Sequence, residues 1–509
     1  MPQLTVDARQ LPAALLVAGV SALVYFLAKF YAARRQVWKM QRDGLPMPPF
    51  SLLAGHFPVL GKIMRSLPPD SIVHNIMWRI SEGFPGGIYY INLWPFAGMV
   101  MVISDADAAS QLEGPILAKG ADIVEPLERI TGGRSLLTMK GGEWKRWRRL
   151  FNPGFSPSYM MGLAPAIADE VAVFRKNLLE RCSKGRSDVF QLEELTLKLT
   201  FDIIGSVVLD AQLRNQLKVH HLAEALRKQW FNGRRLDRYV AEEIDHRLAE
   251  RFEGKPSPNG ETRSKSVASL FIDEYLKEFG DEGLKSKEMI KKIITPQVRL
   301  FLFAGHDTTS GTLQYCYYVL SQYPQVHSRV VAEVDDVFGP DASLVQDKIH
   351  DDPQVLNRIP YTTAFIKEVL RIFPPAAAMR QGQSDVNITL SLAIHRNPRH
   401  WKDPDVCVPE RWLVGPEDPL YPPKGAWRPF EWGPRSCIGQ TLAMVELRVA
   451  LVMTAREFNI KPAYDEWDRI HPRRGNKTVN GDRAYQTVKG GGGAHPADGF
   501  PVTVELREP

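Results

Sequence analysis

Cysteine is scarce in this 509-residue sequence, which has four cysteines spread widely along the chain: Cys182, Cys316, Cys407 and Cys437. Because no two of them form a close pair, the pattern indicates neither a disulfide framework nor a zinc knuckle, and it fits a reducing compartment best. For the first three, a buried structural thiol is the simplest interpretation. Only Cys437 has neighbours that suggest a chemical role.

A large excess of one charge is also missing. The net charge is +6 at pH 7 and the pI is near 8.9, which is too mild to indicate nucleic-acid binding without a clustered basic face. With 44% hydrophobic and 24% charged residues the chain has the composition of a folded globular protein. It contains no internal repeat and no second-domain boundary, so we expect one catalytic domain at residues 51–509.

Charged residues are absent between residues 11 and 28, LPAALLVAGVSALVYFLA, a length at the lower end of what spans a bilayer. Few charges precede this stretch, and the cationic residues that follow it are Lys29, Arg34, Arg35, Lys39 and Arg42. We therefore expect a tail at residues 1–10, a transmembrane anchor at residues 11–31 and a basic, Pro-rich linker at residues 32–50. The positive-inside bias places the body in the cytosol. A cleaved signal peptide is the alternative, but the basic flank lies on the wrong side for one.

Helical spacing of apolar residues dominates the middle of the chain, for example from Tyr159 to Leu179, from Leu192 to Val208 and from Met289 to Tyr323. Short alternating runs typical of strands occur near both ends, as GIYYINLW, GMVMVIS and FPVTVELR. The sequence thus predicts a mainly α protein with small β-sheets.

The informative cysteine lies in residues 430–439, FEWGPRSCIG, directly before an amphipathic helical stretch, QTLAMVELRVALVMTA. At a helix start the dipole and free N–H groups favour a thiolate, which can ligate haem iron. Gly433 and Gly439 would let the backbone turn tightly, Arg435 can pair with a haem propionate, and Phe430 would pack near the sulfur. A helix-capping cysteine in a Gly-rich turn is the alternative, and the full spacing FxxGxRxCxG disfavours it.

With this loop the sequence resembles the cytochrome P-450 superfamily, over roughly residues 45–509. The resemblance implies an α+β fold in which haem (heme b) lies between two long helices, with Cys437 as the axial ligand of the iron. It implies a monooxygenase that hydroxylates or epoxidises a small apolar substrate, using electrons that an NADPH-cytochrome P-450 reductase takes from NADPH. It also implies a single-pass protein of the endoplasmic reticulum membrane, in contact with its lipid, with a cytosolic catalytic domain. The segments HPRRGNKTVNGDRAYQ and GAHPADGFP resemble fungal secondary-metabolism members, including those acting on versicolorin-type polyketides.

Two further motifs fit the resemblance. In AFIKEVLRIFPP, Glu368 and Arg371 lie on one helix face. Alone, they would be interpreted as an ordinary surface ion pair. The resemblance implies instead that this pair is buried together with Arg411, which matches the superfamily's third partner. In FAGHDTT, Asp307 and Thr308 match the superfamily's oxygen-activation segment, where the acid and alcohol deliver protons through water. Gly305 in that segment is expected to leave space for oxygen.

A basic helix, GGEWKRWRR, resembles the family's WxxxR element, so Trp144 and Arg148 are expected to hold a propionate. Arg380, placed after the Pro-Pro pair, is a further propionate candidate. The other basic side chains of this helix, Lys145, Arg146 and Arg149, are candidates for docking an acidic reductase, although a solvated helix face explains them equally well.

The chain departs from the superfamily between Arg380 and Ala393, where only QGQSDVNITLSL replaces a pocket-lining β-hairpin. This is either a real deletion or a gene-model error. The missing hairpin favours a catalytically impaired protein, and the same cysteine ligand also serves other chemistry, so two alternatives to a monooxygenase stay open. One is a haem-thiolate isomerase or dehydratase, and the other is a catalytically impaired haem-binding membrane protein.

Overall fold

The computed structural model describes residues 11–111, 119, 121–227, 229–253, 266–284, 287–376, 379–381, 386–390, 392–488 and 492–507. The predicted mainly helical fold with small sheets is confirmed. The helices are α1 (Leu11–Arg42), α2 (Phe57–Ser66), α3 (Val73–Ser81), α4 (Ala106–Ser110), α5 (Ala121–Thr131), α6 (Gly141–Phe151), α7 (Pro157–Gly162), α8 (Ala164–Cys182), α9 (Leu192–Leu209), α10 (His221–Arg227), α11 (Gln229–Glu253), α12 (Val267–Leu284), α13 (Lys287–Gln322), α14 (Pro324–Phe338), α15 (Val345–Asp351), α16 (Pro360–Ile372), α17 (Gln440–Thr454) and α18 (Tyr464–Ile470).

The strands form small sheets beside the helices. They are β1 (Ile88–Asn92), β2 (Met99–Ile103), β3 (Phe190–Gln191), β4 (Met379–Gln381), β5 (Val386–Leu390), β6 (Phe458–Pro462), β7 (Gln486–Thr487), β8 (His495–Pro496) and β9 (Pro501–Leu506). The strand orders are β1-β2-β5-β4, β3-β9-β6 and β7-β8. Within the first sheet, β2 pairs antiparallel with β1 and parallel with β5.

The region of the expected hairpin deletion lies in this first sheet. Strand β4 pairs antiparallel with β5, with Arg380 opposite Ile388, so the chain passes from one sheet neighbour directly to the next. Residues 382–385, which connect the two strands, lie outside the described residues.

The central element is the 36-residue helix α13, which packs against α9. Gly305 makes this approach possible, because a Cβ atom there would lie only 2.7 Å from Cδ1 of Ile204 on α9. The expectation that Gly305 opens space for oxygen was therefore wrong: its missing side chain lets two helices meet. Each fully buried aliphatic side chain in this core, such as Leu302, contributes roughly 1.5–3 kcal/mol to the free energy of unfolding.

The helical stretch predicted from Tyr159 to Leu179 is divided into α7 and α8. Helix α7 ends at Gly162, and Pro165 stands in the first turn of α8. Proline has no amide hydrogen and its ring opposes the preceding turn, so it can begin a helix but not continue one. The apolar periodicity crosses this break unchanged, which is why the pattern alone did not locate it.

Helix α1 extends from the first described residue, Leu11, past residue 31, where the anchor was expected to end, to Arg42. Its later turns dock on the body: Arg34 and Val37 are 2% and 0% exposed, and Arg34 donates hydrogen bonds to the carbonyl oxygens of Leu52 and Leu53 at 2.7 and 2.8 Å. The first part of the expected linker is therefore helix, and only residues 45–50 are irregular as predicted. The span Pro12–Arg42 is long and apolar enough to cross a membrane, with a mean hydropathy of 2.0, a test that a signal sequence also passes.

Candidate active site

The loop before α17 is shaped by hydrogen bonds to Cys437. The amide of Cys437 donates to the carbonyl oxygen of Phe430 at 2.8 Å, which closes the loop. Gly433 has φ +77°, in the left-handed region that favours glycine. Gly439, in contrast, has an ordinary φ of −85°, so its backbone conformation does not itself require glycine, and its expected role in the turn stays a prediction. It lies against the sulfur, with a Cβ position 3.9 Å from Sγ, and its N–H bonds to Cys437.

The Cys437 side chain combines exposure with strong desolvation. Its side chain is exposed, yet burial is the strongest influence on its pKa and raises it, while the Gly439 N–H and the Arg148 guanidinium lower it. The sulfur is thus accessible although the surrounding protein desolvates it.

Cationic and aromatic side chains surround this loop. The Arg435 guanidinium stacks on Trp144, with Cζ 4.4 Å from the ring centroid, and its Nη2 donates to the Met139 carbonyl at 2.9 Å. Its Nη1 is buried and has no hydrogen-bond partner among the described residues. Arg148 Nη1 donates to the Ser436 carbonyl at 3.1 Å, which ties α6 to the cysteine loop.

Lys119 adds a third cation that the sequence did not single out. Its Nζ donates to the Leu137 carbonyl at 3.0 Å. Burial, and then the positive charges of Arg380 and Arg435, lower the pKa of Lys119 to about 7, and Glu431 opposes them. Arg380 donates to Glu431 at 3.3 Å. Three partly buried cations, Lys119, Arg380 and Arg435, thus lie close together, and Glu431 is a carboxylate that the described residues place beside them.

On α13, Ala304 and Thr308 are accessible although they lie in the middle of a buried helix, with Ala304 more exposed than its buried neighbour Phe303. The Thr308 hydroxyl donates to the Ala304 carbonyl at 2.8 Å, one turn earlier. This side of α13 therefore borders open space. The Thr308 oxygen can still accept a hydrogen bond there, for example from a water molecule.

The Asp307 carboxylate is buried and firmly held. Oδ2 accepts from the Gly493 amide at 2.6 Å, and Oδ1 lies 3.1 Å from Nε2 of His495. Burial raises the pKa of Asp307, but the contacts with His495, His306 and Gly493 together outweigh burial and lower it. We therefore expect an ionised carboxylate at neutral pH.

Glu368, Arg371 and Arg411 form a fully buried ion cluster, and the rings of Trp412, Trp427 and Phe430 connect it to the cysteine loop. Arg371 donates to both carboxylate oxygens of Glu368 at 2.8 and 3.0 Å, and Arg411 Nε donates at 3.0 Å. The Trp412 indole and the Val408 amide donate to the same carboxylate at 3.0 and 3.1 Å. With this many donors, the desolvation of Glu368 is well compensated.

Comparison with known proteins adds to this geometry. The cytochrome P-450 family model matches residues 48–480. The chain belongs to the cytochrome P-450 family. A cytochrome P-450 monooxygenase of Polytolypa hystricis, polC, is 36% identical over 95% of this chain and 94% of its own length. The monooxygenase acrF of Aspergillus aculeatus is 30% identical over 83% of this chain and 95% of its own length. The predicted enzyme class, a cytochrome P-450 monooxygenase, is confirmed.

A solved structure agrees with the fold of this cytochrome P-450. The crystal structure of the cytochrome P-450DA heme domain superimposes with a TM-score of 0.67 at 19% identity, covering 91% of this chain and 97% of that domain. At this identity the likeness concerns the fold alone.

The residues around Cys437 fit the haem that the cytochrome P-450 family implies. The unpartnered Nη1 of Arg435 needs an acceptor, and anionic groups beside Lys119 would offset the positive charges of Arg380 and Arg435 that lower its pKa. The two carboxylates of haem would supply both the acceptor and the negative charge, and the accessible sulfur would supply a thiolate ligand for the iron.

The basic face of α6 is less open in this cytochrome P-450 than the sequence suggested. Arg146 and Arg149 both donate to Glu278, at 3.0 and 2.7 Å. Two of the three candidate docking charges are thus already engaged, which leaves Lys145 as the charge for which the described residues show no carboxylate contact.

Sequence reasoning missed three residues near this site, Lys119, His495 and Glu193. His495 and Glu193 contact each other 3.3 Å apart, and His495 contacts Asp307. His495 lies in the segment GAHPADGFP, which drew attention only through its resemblance to fungal members. No local spacing connects it with Asp307, which is 188 residues away.

Proposed function

We propose that this cytochrome P-450 is a membrane-bound monooxygenase that inserts one atom of dioxygen into a small apolar substrate. Cys437 would ligate the iron of haem b, and NADPH would supply electrons through an NADPH-cytochrome P-450 reductase. The observation that carries the proposal is an accessible sulfur beside converging cations, one of which has an unpartnered, buried Nη1. When bound, haem supplies an iron centre that activates dioxygen.

The chain's own residues would prepare this chemistry on the proximal side. Burial raises the pKa of Cys437 above its ordinary value, and the N–H of Gly439 and the guanidinium of Arg148 partly offset this rise, so both would favour the thiolate that haem iron binds. Arg435, Lys119 and Arg380 would bind the two propionates. The aromatic stack of Trp144 on Arg435 fixes that guanidinium in place.

On the distal side, Thr308 would hold water and Asp307 would pass protons to it. The Thr308 hydroxyl is bonded to Ala304 and keeps acceptor capacity for water. Asp307 and Thr308 also distinguish this proposal from an isomerase or dehydratase, because those reactions need no proton delivery for oxygen cleavage. Retention of the pair supports the monooxygenase over this alternative.

Membrane attachment through α1 is supported by its apolar length and by the way it meets the body. Phe26 and Phe30 lie 5.2 and 5.7 Å from the Trp94 ring, centroid to centroid. Arg34 lies 4.7 Å from the Phe30 ring and is bonded to the body. A helix fixed in this way would hold the catalytic body next to the membrane, and the charge bias supports a cytosolic body at the endoplasmic reticulum.

The substrate class rests on the relatives. polC and acrF are cytochrome P-450 monooxygenases of fungi, which supports a role in fungal secondary metabolism. A polyketide of the versicolorin type is the specific candidate that the resemblance of the tail offers.

The test is a search for the substrate with purified, haem-loaded enzyme, reductase and NADPH. Extract from the source organism lacking this gene is incubated with wild-type enzyme and with a matched sample lacking NADPH. A compound that gains one oxygen atom from ¹⁸O₂, only with NADPH, supports the proposal. Isomerisation or dehydration without oxygen uptake would contradict it.

A further inference from the structure

A buried histidine from the C-terminal segment lies between two carboxylates of different helices. His495 is 3% exposed. Its Nε2 lies 3.1 Å from Oδ1 of Asp307 on α13, and its Nδ1 lies 3.3 Å from Oε1 of Glu193 in the first turn of α9. The Gln314 amide nitrogen lies 3.4 Å from the same Nδ1. Each ring nitrogen of His495 therefore faces a different carboxylate.

The fold fixes this histidine in place through close backbone contacts. A Cβ atom on Gly311 of α13 would lie 2.5 Å from the Ala494 carbonyl oxygen, so the segment rests directly on the helix. The Ala494 amide donates to the Pro375 carbonyl at 2.8 Å. Gly493 donates to Asp307, and a Cβ there would lie 3.3 Å from Cα of Thr308. The segment thus spans both members of the acid and alcohol pair.

This arrangement suits proton transfer. An imidazole can accept a proton at one nitrogen and release one from the other, and its ordinary pKa lies near neutrality. The Glu193 side chain is 15% exposed, more than His495 at 3% or Asp307 at 9%, so Glu193 is the end that solvent reaches. Asp307, whose pKa is lowered, can receive the proton as a carboxylate.

We propose that His495 relays protons from Glu193 to Asp307, and through Asp307 to the space beside Thr308. A proton enters His495 at Nδ1 and a proton leaves from Nε2 to Oδ1 of Asp307. The relay serves the reaction RH + O₂ + NADPH + H⁺ → ROH + H₂O + NADP⁺, in which the reductase supplies both electrons. This inference rests on the monooxygenase function proposed above.

A purely structural role would use the same contacts, because a buried ion cluster also fastens the C-terminal segment to α9 and α13. The two roles differ in what a glutamine can replace. Glutamine at position 495 can donate from its amide nitrogen to a carboxylate, but its amide oxygen is an acceptor that cannot bond an ionised carboxylate, and an amide does not pass protons as an imidazole does. Haem content, substrate-induced spectral shifts and peroxide-driven turnover therefore report whether the fold survives His495→Gln, and product per NADPH reports the relay.

The experiment compares product formed per NADPH in wild type, His495→Gln, Asp307→Asn and the double variant. His327→Gln is the matched control, since His327 is a partly buried histidine bonded to the Ala455 carbonyl away from this cluster. We expect His495→Gln to keep haem content and substrate-induced spectral shifts while product per NADPH falls roughly tenfold and hydrogen peroxide rises. We expect this loss to be smaller than the ~10²–10⁴-fold rate contribution of a direct general acid, because water can partly replace a relay. The double variant should be no worse than Asp307→Asn.

Hydrogen peroxide supplied directly separates the roles further, because it already carries the electrons and protons of the reduction. Peroxide-driven product formation should be retained in His495→Gln. Its parallel loss, or an unchanged product-to-NADPH ratio, would overturn the relay. Wild-type enzyme that forms no oxygenated product would instead contradict the proposed function.

A second pair of variants keeps the test valid if position 495 does not tolerate substitution. Glu193→Gln changes the outer end of the relay, and Glu194→Gln changes its exposed neighbour on the same helix turn. We expect a lowered product-to-NADPH ratio for Glu193→Gln only. Equal ratios in the two variants would overturn the relay.

Discussion

The buried Glu368 cluster allows a prediction with a definite magnitude. Glu368, Arg371 and Arg411 are 0%, 0% and 1% exposed, so neither guanidinium can turn to water if the carboxylate loses its charge. Breaking such a buried pair costs about 3–5 kcal/mol. Glutamine keeps an acceptor oxygen, so we expect Glu368→Gln to lower the free energy of unfolding by about 3 kcal/mol, at the lower end of this range. This corresponds to a more than 100-fold shift of the folding equilibrium toward the unfolded state.

The assay is denaturant unfolding followed by far-UV circular dichroism, with Glu410→Gln as the control. Glu410 pairs with Arg329 at the surface, with side chains 39% and 55% exposed, so its loss should cost less than about 1 kcal/mol. A transition midpoint for Glu368→Gln that matches the control, at equal slope, would refute the reasoning. We also expect Glu368→Gln to retain less haem, because Trp412, which donates to Glu368, contacts Phe430 of the cysteine loop through Trp427.

Three further changes have specific expected outcomes. Thr308→Ala should keep haem content and substrate-induced spectral shifts while product per NADPH falls and hydrogen peroxide rises; an unchanged ratio would remove Thr308 from proton delivery. Deletion of residues 1–31, which keeps the docked Arg34, should give a haem-containing protein with weaker membrane attachment, and loss of all haem would count against an independent anchor. The pKa of Lys119 is about 7 in the haem-free fold and 10.5 ordinarily, so the unfolded chain binds more protons between these values. The free energy of unfolding of haem-free protein should therefore rise with pH across that window, and Lys119→Met should reduce the rise.

The cysteine loop of the site could be predicted from local sequence. The glycine, arginine and cysteine of FEWGPRSCIG act within ten residues of one another, so their spacing alone predicted a closed loop before a helix. The same holds for Glu368 and Arg371, one turn apart on α16. Their burial was expected through the family resemblance, because the same spacing is common on exposed helices.

Long-range contacts were not predictable in this way. His495 meets Asp307 because the segment after β7 crosses α13, and no period within either segment encodes that crossing. The role of Gly305 was misjudged for the same reason: its neighbour, Ile204, lies on another helix. The helical extension of α1 beyond residue 31 also depends on a tertiary contact, the burial of Arg34 against Leu52 and Leu53.

The central claim is that Cys437 binds haem iron as a thiolate, and the reduced, carbon-monoxide difference spectrum tests it most directly. The purified wild-type protein should show the red-shifted band of a thiolate ligand. Cys437→Ser should lose that band, because a hydroxyl stays protonated and binds iron weakly, whereas Cys182→Ser, which changes a buried thiol elsewhere, should keep it. A wild-type spectrum without the red shift, or a Cys437→Ser spectrum that retains it, would contradict the account.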